Sequence, residues 1–301
     1  MKIKVLKFGG TSVGSIEAIK RSADIIHDWS KKSKVIAVLS AMSGETDRLI
    51  NLTKSFSKNP NPIDFDNAIS SGENVSCALM SICLNNQKIK AKSLLSWQIP
   101  IITSSEHMKS RILSINKKFL YDELENFEVL LIPGFQGINN KGELTTLGRG
   151  GSDTSAVAVA AAMETECIIY TDVEGVFTTD PNIVPKAKKI NKISYEEMLE
   201  LASQGAKVLQ TRSVELAMRK NTKLSVRSSF KPKKIGTMIT DEKSVLENNT
   251  VSGITYSKDE AKITLSRVQD KPGVSSKIFG PLAKGNINVD MILQNISQDG
   301  K

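Results

Sequence analysis

The sequence predicts an α/β domain with a mostly parallel sheet, because strand-like and helix-like stretches alternate along most of the chain. Several short runs are apolar at consecutive positions, which is typical of strands buried on both faces of a sheet. Glycine-rich turns follow some of these runs, and ligands of parallel sheets bind beyond the carboxyl ends of the strands. The predicted strands are 2–8, 35–39, 127–132, 167–171 and 223–227.

Helical periodicity, or an alanine-rich stretch after a glycine-rich turn, fills the intervals between these strands. The predicted helices are 15–31, one beginning at about 45, 64–86, one from the 148–153 turn to about 163, 194–204 and 207–220. Residues 231–249 change from basic to acidic and Asn-rich, and we predict a final edge strand and a linker there.

A small βαβ unit is predicted after the linker, with a strand at 261–268, a helix at 274–284 and a strand at 287–292. A unit of about 45 residues has too little area for an independent core. We therefore expect that it needs a partner, or that the chain is incomplete.

The composition of the 301-residue chain, 40% hydrophobic with a net charge of +9, indicates a globular protein and narrows its chemistry. Without an apolar run of about 18 residues or a signal-peptide pattern, we expect no membrane span and a cytoplasmic location. Three cysteines and two histidines at no ligand spacing disfavour a zinc site and a histidine-dependent triad. The positive charge fits nucleic acid or anionic small molecules, but 5% aromatic residues offer no stacking platform for single strands.

The first candidate site is the segment Lys7–Ser12 at the end of the first predicted strand. A lysine followed by two glycines lets backbone N–H groups approach a phosphate closely. The segment Gly9–Gly14 nearly follows the P-loop pattern, but Ser15 and Ile16 stand where that pattern requires Lys and Ser or Thr. The alternative is a tight strand-to-helix turn with a solvated lysine.

The second candidate is the segment Gly148–Ser155, in which three glycines precede a helix. Helix N-termini attract anions, and Arg149 can bind a carboxylate or a phosphate through bidentate hydrogen bonds. Asp153 can cap this helix or bind a metal. The alternative is a glycine hinge with an Asp cap.

Three further features are compatible with a ligand. The segment Thr171–Pro181 leaves a buried strand with acidic and hydroxyl groups suited to a ribose, a base or Mg²⁺, or it forms a loop with Asx turns. Glu73 begins a helix, where it either pairs with a substrate ammonium or only complements the helix dipole. Lys207 also begins a predicted helix, where a cation opposes the dipole unless an anion is bound.

Taken together, these segments resemble the aspartate kinases of the amino-acid kinase family. The matching segments run in order along the chain at 7–12, 38–44, 71–73, 134–137, 145–156, 170–181 and 226–230. Residues 270–273 and 286–295 resemble the first half of an ACT domain. The resemblance implies an amino-acid kinase fold, a three-layer α/β/α sandwich with a mostly parallel central sheet, followed by a partial ACT unit. It implies a catalytic domain at 1–245, whose N-terminal lobe binds aspartate and whose C-terminal lobe binds ATP, and a partial ACT domain at 250–301.

The implied reaction uses ATP and Mg²⁺ to phosphorylate the side-chain carboxylate of L-aspartate, the first step of lysine, threonine and methionine (diaminopimelate) biosynthesis. An aspartate carboxylate in water has a pKa of about 3.9, so this in-line transfer needs no general base. By the same resemblance, Lys7 stabilises the transferred phosphoryl group, Glu73 binds the α-ammonium of aspartate and Arg149 binds its α-carboxylate. Asp153 supports the cationic and metal cluster, and Lys207 reaches the phosphates.

The remaining residues implied by the resemblance form three groups. The other ATP contacts are Phe8, Gly9, Gly10, Ser40, Ser152, Thr171, Asp172, Phe177, Thr178, Thr179, Asp180, Pro181 and Asn182. The other aspartate contacts are Thr46, Gly150, Gly151 and Ser152. Contacts to a lysine or threonine effector are Asp270, Lys271, Pro272, Gly273, Val274, Ser275, Asn288, Val289, Asp290, Gln294 and Asn295.

Three other functions are weighed against this one. A related kinase acting on glutamate, acetylglutamate or UMP is disfavoured by the Ser-Gly-Glu segment at 71–73 and by the ACT-like tail. A non-catalytic amino-acid sensor is expected to lack catalytic residues that are present here. Nucleic-acid binding rests on the net charge alone. We expect a homo-oligomer for the full-length protein and neither a nucleic-acid nor a membrane partner.

Overall fold

The computed structural model describes residues 2–98, 101–206, 208–241, 253–256, 261–266, 268, 271–285, 287, 289 and 292–293. The chain divides into two compact units, residues 1–256 and 257–301. The strands are β1 (Ile3–Phe8), β2 (Lys34–Leu39), β3 (Ala91–Ser93), β4 (Ile101–Thr103), β5 (Ile112–Ile115), β6 (Val129–Pro133), β7 (Gln136–Ile138), β8 (Leu144–Thr146), β9 (Cys167–Thr171), β10 (Lys192–Ser194), β11 (Leu224–Ser228) and β12 (Thr237–Thr240). The α-helices are α1 (Ile16–Ser30), α2 (Glu45–Phe56), α3 (Pro62–Ile69), α4 (Ser71–Asn86), α5 (Lys117–Asn126), α6 (Gly151–Ala162), α7 (Tyr195–Ser203), α8 (Thr211–Lys220) and α9 (Val274–Lys284).

The larger sheet of the first unit has eight strands in the order β10-β12-β11-β9-β1-β2-β6-β3. Its neighbouring strands are parallel, apart from the antiparallel pair β11 and β12. The predicted mostly parallel α/β sheet is therefore confirmed. The carboxyl ends of β1, β2 and β9 lie side by side, so the loops that follow these strands meet at one edge of the sheet.

Helices cover both faces of this sheet, as a three-layer sandwich requires. Strand β2 contributes to both cores: Val35, Ala37 and Leu39 pack with α1 and α4, whereas Ile36 and Val38 pack with α5, α6, α7 and α8. Successive side chains of a strand point to opposite faces, so a strand covered on both sides must be apolar throughout. This explains why the run 35–39 has no polar residue.

A second sheet of four short strands, in the order β5-β4-β7-β8, is missing from the sequence prediction. The stretch between the predicted strand 127–132 and the Gly148–Ser155 segment contains the antiparallel hairpin of β7 and β8, in which Gln136 lies opposite Thr146. Strands of three or four residues are too short to display a period of two, which is why the pattern did not predict them.

Several predicted elements differ in the structure. The single helix predicted over 64–86 is two helices that meet at Ser70, whose carbonyl accepts a hydrogen bond from the Gln136 side chain at 2.9 Å. Within the described residues, the helix predicted over 207–220 begins only at Thr211, because Gln210 is extended, with φ −84° and ψ 135°. Strand β12 is not an edge strand, since it pairs with both β10 and β11.

The second unit contains the predicted helix, α9, which follows the turn at Gly273. The strand predicted over 261–268 is absent from its described residues, 261–266 and 268. Residues 287, 289 and 292 are likewise not in strand conformation, and the rest of the predicted strand 287–292 lies outside the described residues. Among the helices of the described chain, none combines the length and the apolar character needed to cross a membrane.

Candidate active site

A cavity of about 390 Å³ lies in the first unit, where the loops after β1 and β2 approach the start of α6. It brings together residues that are far apart in the sequence. The predicted site residues that line it are Lys7, Gly10, Ser40, Thr46, Glu73, Arg149, Gly150, Gly151, Ser152 and Asp153.

Lys7 and Asp153 form an ion pair in this cavity, with Nζ and Oδ1 2.6 Å apart. Lys7 lies on the central strand β1, and Asp153 lies in the first turn of α6. Both side chains are largely buried, at 12% and 10% exposure, so water screens the pair weakly. The pair therefore fixes a cation at the carboxyl end of the sheet.

The turn after β1 packs closely against its surroundings. Gly9 N donates a hydrogen bond to the Tyr170 carbonyl, and a Cβ on Gly9 would lie 3.4 Å from Lys7 Nζ. A Cβ on Gly10 would lie 3.2 Å from the Ala41 carbonyl oxygen. The turn runs into a short 3₁₀ helix at Gly10–Ser12, before α1 begins. Gly10 therefore lets the backbone approach the loop after β2, whereas a Cβ on Gly9 would make only an ordinary contact with Lys7.

The segment that carries Arg149 also depends on its glycines. Gly148 and Gly150 have φ of +79° and +72°, in the left-handed region that favours glycine. A Cβ on Gly150 would lie 2.1 Å from Gln210 Cγ, and a Cβ on Gly151 would lie 2.9 Å from the Phe135 ring. Arg149 is exposed and has no hydrogen bond or ion pair within the described part of the chain. Its guanidinium is therefore available to an anion beside the N-terminus of α6.

Glu73 also lines the cavity, but unlike Asp153 it has no cation beside it. It is 3% exposed, and its Oε2 atom has no hydrogen-bond partner among the described residues. Burial raises the pKa of Glu73 to about 8, although backbone N–H groups of Ala41 and of Glu73 itself oppose the shift. A buried carboxylate without a cation is matched to a cationic ligand.

Sequence reasoning missed several residues that line the cavity, above all Phe135 and Gln210. Phe135 has φ +71°, which is strained for an aromatic residue, and its backbone N–H donates to Ser155 Oγ at 3.1 Å. Phe135 lies within the segment 134–137 that carried the family resemblance, so this segment was the available signal. No sequence signal pointed to Gln210, because only the folded chain brings it beside Gly150.

The predicted nucleotide contacts lie partly outside this cavity. Thr171 ends β9, and its Oγ1 donates to Asp172 Oδ1 at 2.9 Å. In the loop 177–182, Asn182 N donates to Asp180 Oδ1 at 2.9 Å, an Asx turn of the kind named in the alternative interpretation of this segment. Neither segment lines the cavity described above.

Phe8, another predicted nucleotide contact, is fully buried and stacks on Tyr170 with ring centroids 5.1 Å apart. Its side chain therefore packs in the core, and its carbonyl accepts a hydrogen bond from Ser40 N at 3.1 Å. Lys207 lies outside the described residues. Of the predicted effector contacts, residues 271–275 form the turn before α9 and its first residues, and residue 289 is described without regular structure, whereas Asp270, Asn288, Asp290, Gln294 and Asn295 lie outside the described part.

Two family models match the chain, the amino acid kinase family over residues 2–228 and the ACT domain over residues 263–301. The aspartate kinase of Pseudomonas putida is 49% identical over 302 residues, which cover 99% of this chain and 73% of that protein. The chain belongs to the aspartate kinases of the amino acid kinase family. The aspartokinase of Helicobacter pylori, strain 26695, is also 49% identical and is covered over 75% of its length.

Solved structures of the family agree with this assignment and with its fold. Aspartokinase III of E. coli, in complex with aspartate and ADP, superposes with a TM-score of 0.75 at 26% identity. The match covers 98% of this chain and 77% of that one. Aspartate kinase from Synechocystis superposes with a TM-score of 0.72 at 37% identity, covering 99% of this chain and 51% of that one. The predicted amino-acid kinase fold is confirmed.

Proposed function

We propose that the chain catalyses the transfer of the γ-phosphoryl group of ATP to the side-chain carboxylate of L-aspartate, forming 4-phospho-L-aspartate and ADP. The observation that carries this proposal is the charge pattern of the 390 Å³ cavity. Glu73 is a buried carboxylate without a cation, Arg149 is a cation without an anion, and Lys7 holds a third charge at the strand end. These charges complement an amino acid with a second carboxylate.

Aspartate binding follows from the two unneutralised side chains. The carboxylate of Glu73 pairs with the α-ammonium, and the guanidinium of Arg149 binds the α-carboxylate through bidentate hydrogen bonds. This orientation leaves the side-chain carboxylate to face the N-terminus of α6 and Lys7. Contacts from Thr46, Gly150, Gly151 and Ser152 complete the substrate pocket in this proposal.

Phosphoryl transfer needs position and positive charge rather than a base. An oxygen of the side-chain carboxylate forms a bond to the γ-phosphorus while the bond from phosphorus to the β–γ bridging oxygen breaks, and ADP leaves. Lys7, held in place by Asp153 at 2.6 Å, stabilises the negative charge on the transferred group. Backbone N–H groups at Gly9 and Gly10 and at the start of α6 add further donors.

We also propose Mg²⁺ as the metal of the reaction. No group of three or more His, Cys, Asp and Glu side chains forms a metal site within the described residues. This fits Mg²⁺, which is commonly held by one or two carboxylates together with phosphate oxygens and water. Asp153 is the carboxylate suited to it, with the hydroxyl groups of Ser40 and Ser152 nearby, and the ion would neutralise charge on the β- and γ-phosphates.

The remaining assignments belong to the same proposal. Thr171, Asp172 and the loop 177–182 bind the nucleotide, with Lys207 on the phosphates. The catalytic domain spans 1–245 in this proposal, and the ACT region predicted at 250–301 binds a lysine or threonine effector in a homo-oligomer. The ACT match at 263–301 supports a regulatory amino acid, as does the E. coli aspartokinase III complex with lysine and aspartate.

The test is aspartyl hydroxamate formation from ATP, Mg²⁺, aspartate and hydroxylamine, which traps the acyl phosphate. We expect the hydroxamate to form with aspartate. In a parallel assay that measures ADP release, we expect none with glutamate, acetylglutamate or UMP as the acceptor. A folded chain that makes no hydroxamate, or that releases ADP faster with another acceptor, contradicts the proposal. Lysine and threonine added singly to the same assay test the effector.

Lys7→Ala is expected to lower kcat by at least about 100-fold, the scale seen when one donor to a transition-state oxyanion is removed. The matched control is Lys4→Ala on the same strand, because Lys4 pairs with Glu166 and does not line the cavity. Thermal unfolding of both variants measures the stability lost with each ion pair. Equal kcat values for Lys7→Ala and the parent chain contradict the role of Lys7.

A further inference from the structure

Asp66 is a buried carboxylate that the proposed reaction does not use. It lies on α3, seven residues before Glu73, and is fully buried. Its Oδ1 accepts a hydrogen bond from Thr146 Oγ1 at 2.6 Å, and its Oδ2 accepts from Thr146 N and Met108 N, both at 3.1 Å. His107 Nδ1 lies 2.9 Å from the same Oδ2 atom. A buried carboxylate is stable only when satisfied in this way.

The partners of Asp66 are the supports of the segment that carries Arg149. Thr146 is the last residue of β8 and lies three residues before Arg149. Met108 has a strained backbone with φ +67°, and its carbonyl oxygen lies 2.9 Å from the position of a Cβ on Gly148. Asp66 therefore fixes Thr146, which leads into the segment that carries Arg149. It also fixes Met108, against which Gly148 packs.

A second charged side chain, Arg212 on α8, also holds the backbone that leads to Arg149. Arg212 Nη1 donates to the Leu147 carbonyl at 2.8 Å, and Arg212 Nη2 donates to the Ser110 carbonyl at 2.7 Å. Ser110 in turn donates from its backbone N–H to the Thr146 carbonyl at 2.9 Å. Neither Asp66 nor Arg212 lines the cavity, so both act on it only through the backbone.

We propose that Asp66 is a positioning residue that sets the separation between Glu73 and Arg149, an inference that rests on the proposed function. The ammonium and carboxylate that these two residues bind are attached to the same carbon atom of aspartate. Their separation must therefore match a fixed length, and an error of about 1 Å can cost about 100-fold in rate. Asp66 joins the helix pair α3–α4, which carries Glu73, to the segment that carries Arg149.

The decisive variant is Asp66→Asn, which keeps the shape but removes the negative charge and replaces one of the two acceptor oxygens with an NH₂ donor. We expect the KM for aspartate to rise at least tenfold while the KM for ATP stays within twofold. Asp64→Asn is the matched control, because Asp64 is exposed on the same helix two residues earlier, and it is expected to leave both constants unchanged. A role in general stability would reduce the active fraction instead, lowering kcat without a selective change in the KM for aspartate.

Two further variants keep the inference testable if Asp66→Asn does not fold. Thr146→Val removes only the Oγ1 bond and is expected to raise the KM for aspartate selectively, by a smaller factor. Combined with Arg149→Lys, it is expected to add less than its effect in the parent chain, because both changes act on the same contact. An unchanged KM for aspartate, or equal rises in both KM values, overturns the role of Asp66 while the parent chain remains active. An inactive parent chain overturns the proposed function as well.

Discussion

Asp153 and Glu73 line the same cavity with opposite partners, and the difference assigns their tasks. Asp153 already has a cation beside it in the free protein, Lys7, which it holds in place. Glu73 has none, and its pKa rises to about 8 because the charged form is buried. A ligand that brings an ammonium group supplies the missing partner. The free protein is therefore arranged for a substrate that carries both a positive charge and negative charges.

The raised pKa of Glu73 predicts that aspartate binding depends on pH. Below pH 8 the free site is mostly protonated, and the ammonium binds the ionised form, so binding releases a proton. We expect the Kd for aspartate to fall as pH rises from about 6.5 towards 8, by up to about tenfold per unit. Isothermal titration calorimetry in two buffers with different ionisation enthalpies measures the proton release.

Glu73→Gln is the control for this pH dependence, because it removes the titrating group while keeping its size. The same variant tests stability in the free protein. The pKa of Glu73 in the folded state lies above its ordinary value of 4.5, so the folded state binds more protons between pH 4.5 and 8, and the free energy of unfolding falls across that window. We expect Glu73→Gln to flatten this fall; an identical slope in both proteins argues against a buried, titrating Glu73.

Single residues were predicted where neighbours in the sequence already carried the argument. Lys7 precedes two glycines and Arg149 lies among three, so charge and backbone freedom are visible together without a structure. Gln210 and Asp66 could not be predicted, because each acts on a glycine-rich segment through contacts that only the fold creates. The sequence thus predicts a group that touches the ligand more readily than one that supports it.

At the scale of elements, strand length decided what the sequence could predict. Strands β2, β6 and β9 have five or six residues and are apolar on both faces, which is a strong signal. Strands β4, β7 and β8 have three residues each and show no period. The missed sheet ends at Thr146, beside the segment of Arg149, so its absence from the prediction also hid how that segment is supported.

The contact between the Arg149 segment and the entry to α8 yields a prediction for Gly150→Ala. The new Cβ meets Gln210 Cγ at 2.1 Å, in a backbone conformation with φ +72°. We expect the KM for aspartate to rise at least tenfold, because the segment must shift. The measurement is steady-state kinetics with aspartate varied.

Gly142→Ala separates strain from crowding, because Gly142 has φ +79° with no atom within 4 Å of its added Cβ. This control is expected to cost about 1 kcal/mol of stability and to leave the KM for aspartate unchanged. Adding Gln210→Ala to Gly150→Ala is expected to recover part of the lost affinity for aspartate. No recovery in the double variant argues that backbone strain alone, rather than the contact with Gln210, disturbs the site.

At the scale of the whole molecule, the first unit extends to residue 256, beyond the predicted division at 245–250. Residues 253–256 form hydrogen bonds with the rest of this unit. Ile254 N donates to the Thr178 carbonyl at 2.8 Å, and Thr255 Oγ1 donates to the Gln204 carbonyl. Thr178 lies in the loop proposed to bind the nucleotide. The segment after the last strand therefore supports that loop, a role that its composition does not reveal.

Two shortened chains test this support, one ending at residue 245 and one ending at residue 256. Ending at 245 removes the hydrogen bond to Thr178, worth about 1 kcal/mol, together with the packing of Gly253 against Leu201. We expect the KM for ATP of this chain to be about fivefold higher than that of the 256-residue chain, since about 1.4 kcal/mol corresponds to tenfold. The KM for aspartate should be the same in both, because residues 253–256 do not line the 390 Å³ cavity. Equal KM values for ATP would show that the loop 177–182 keeps its conformation without this segment.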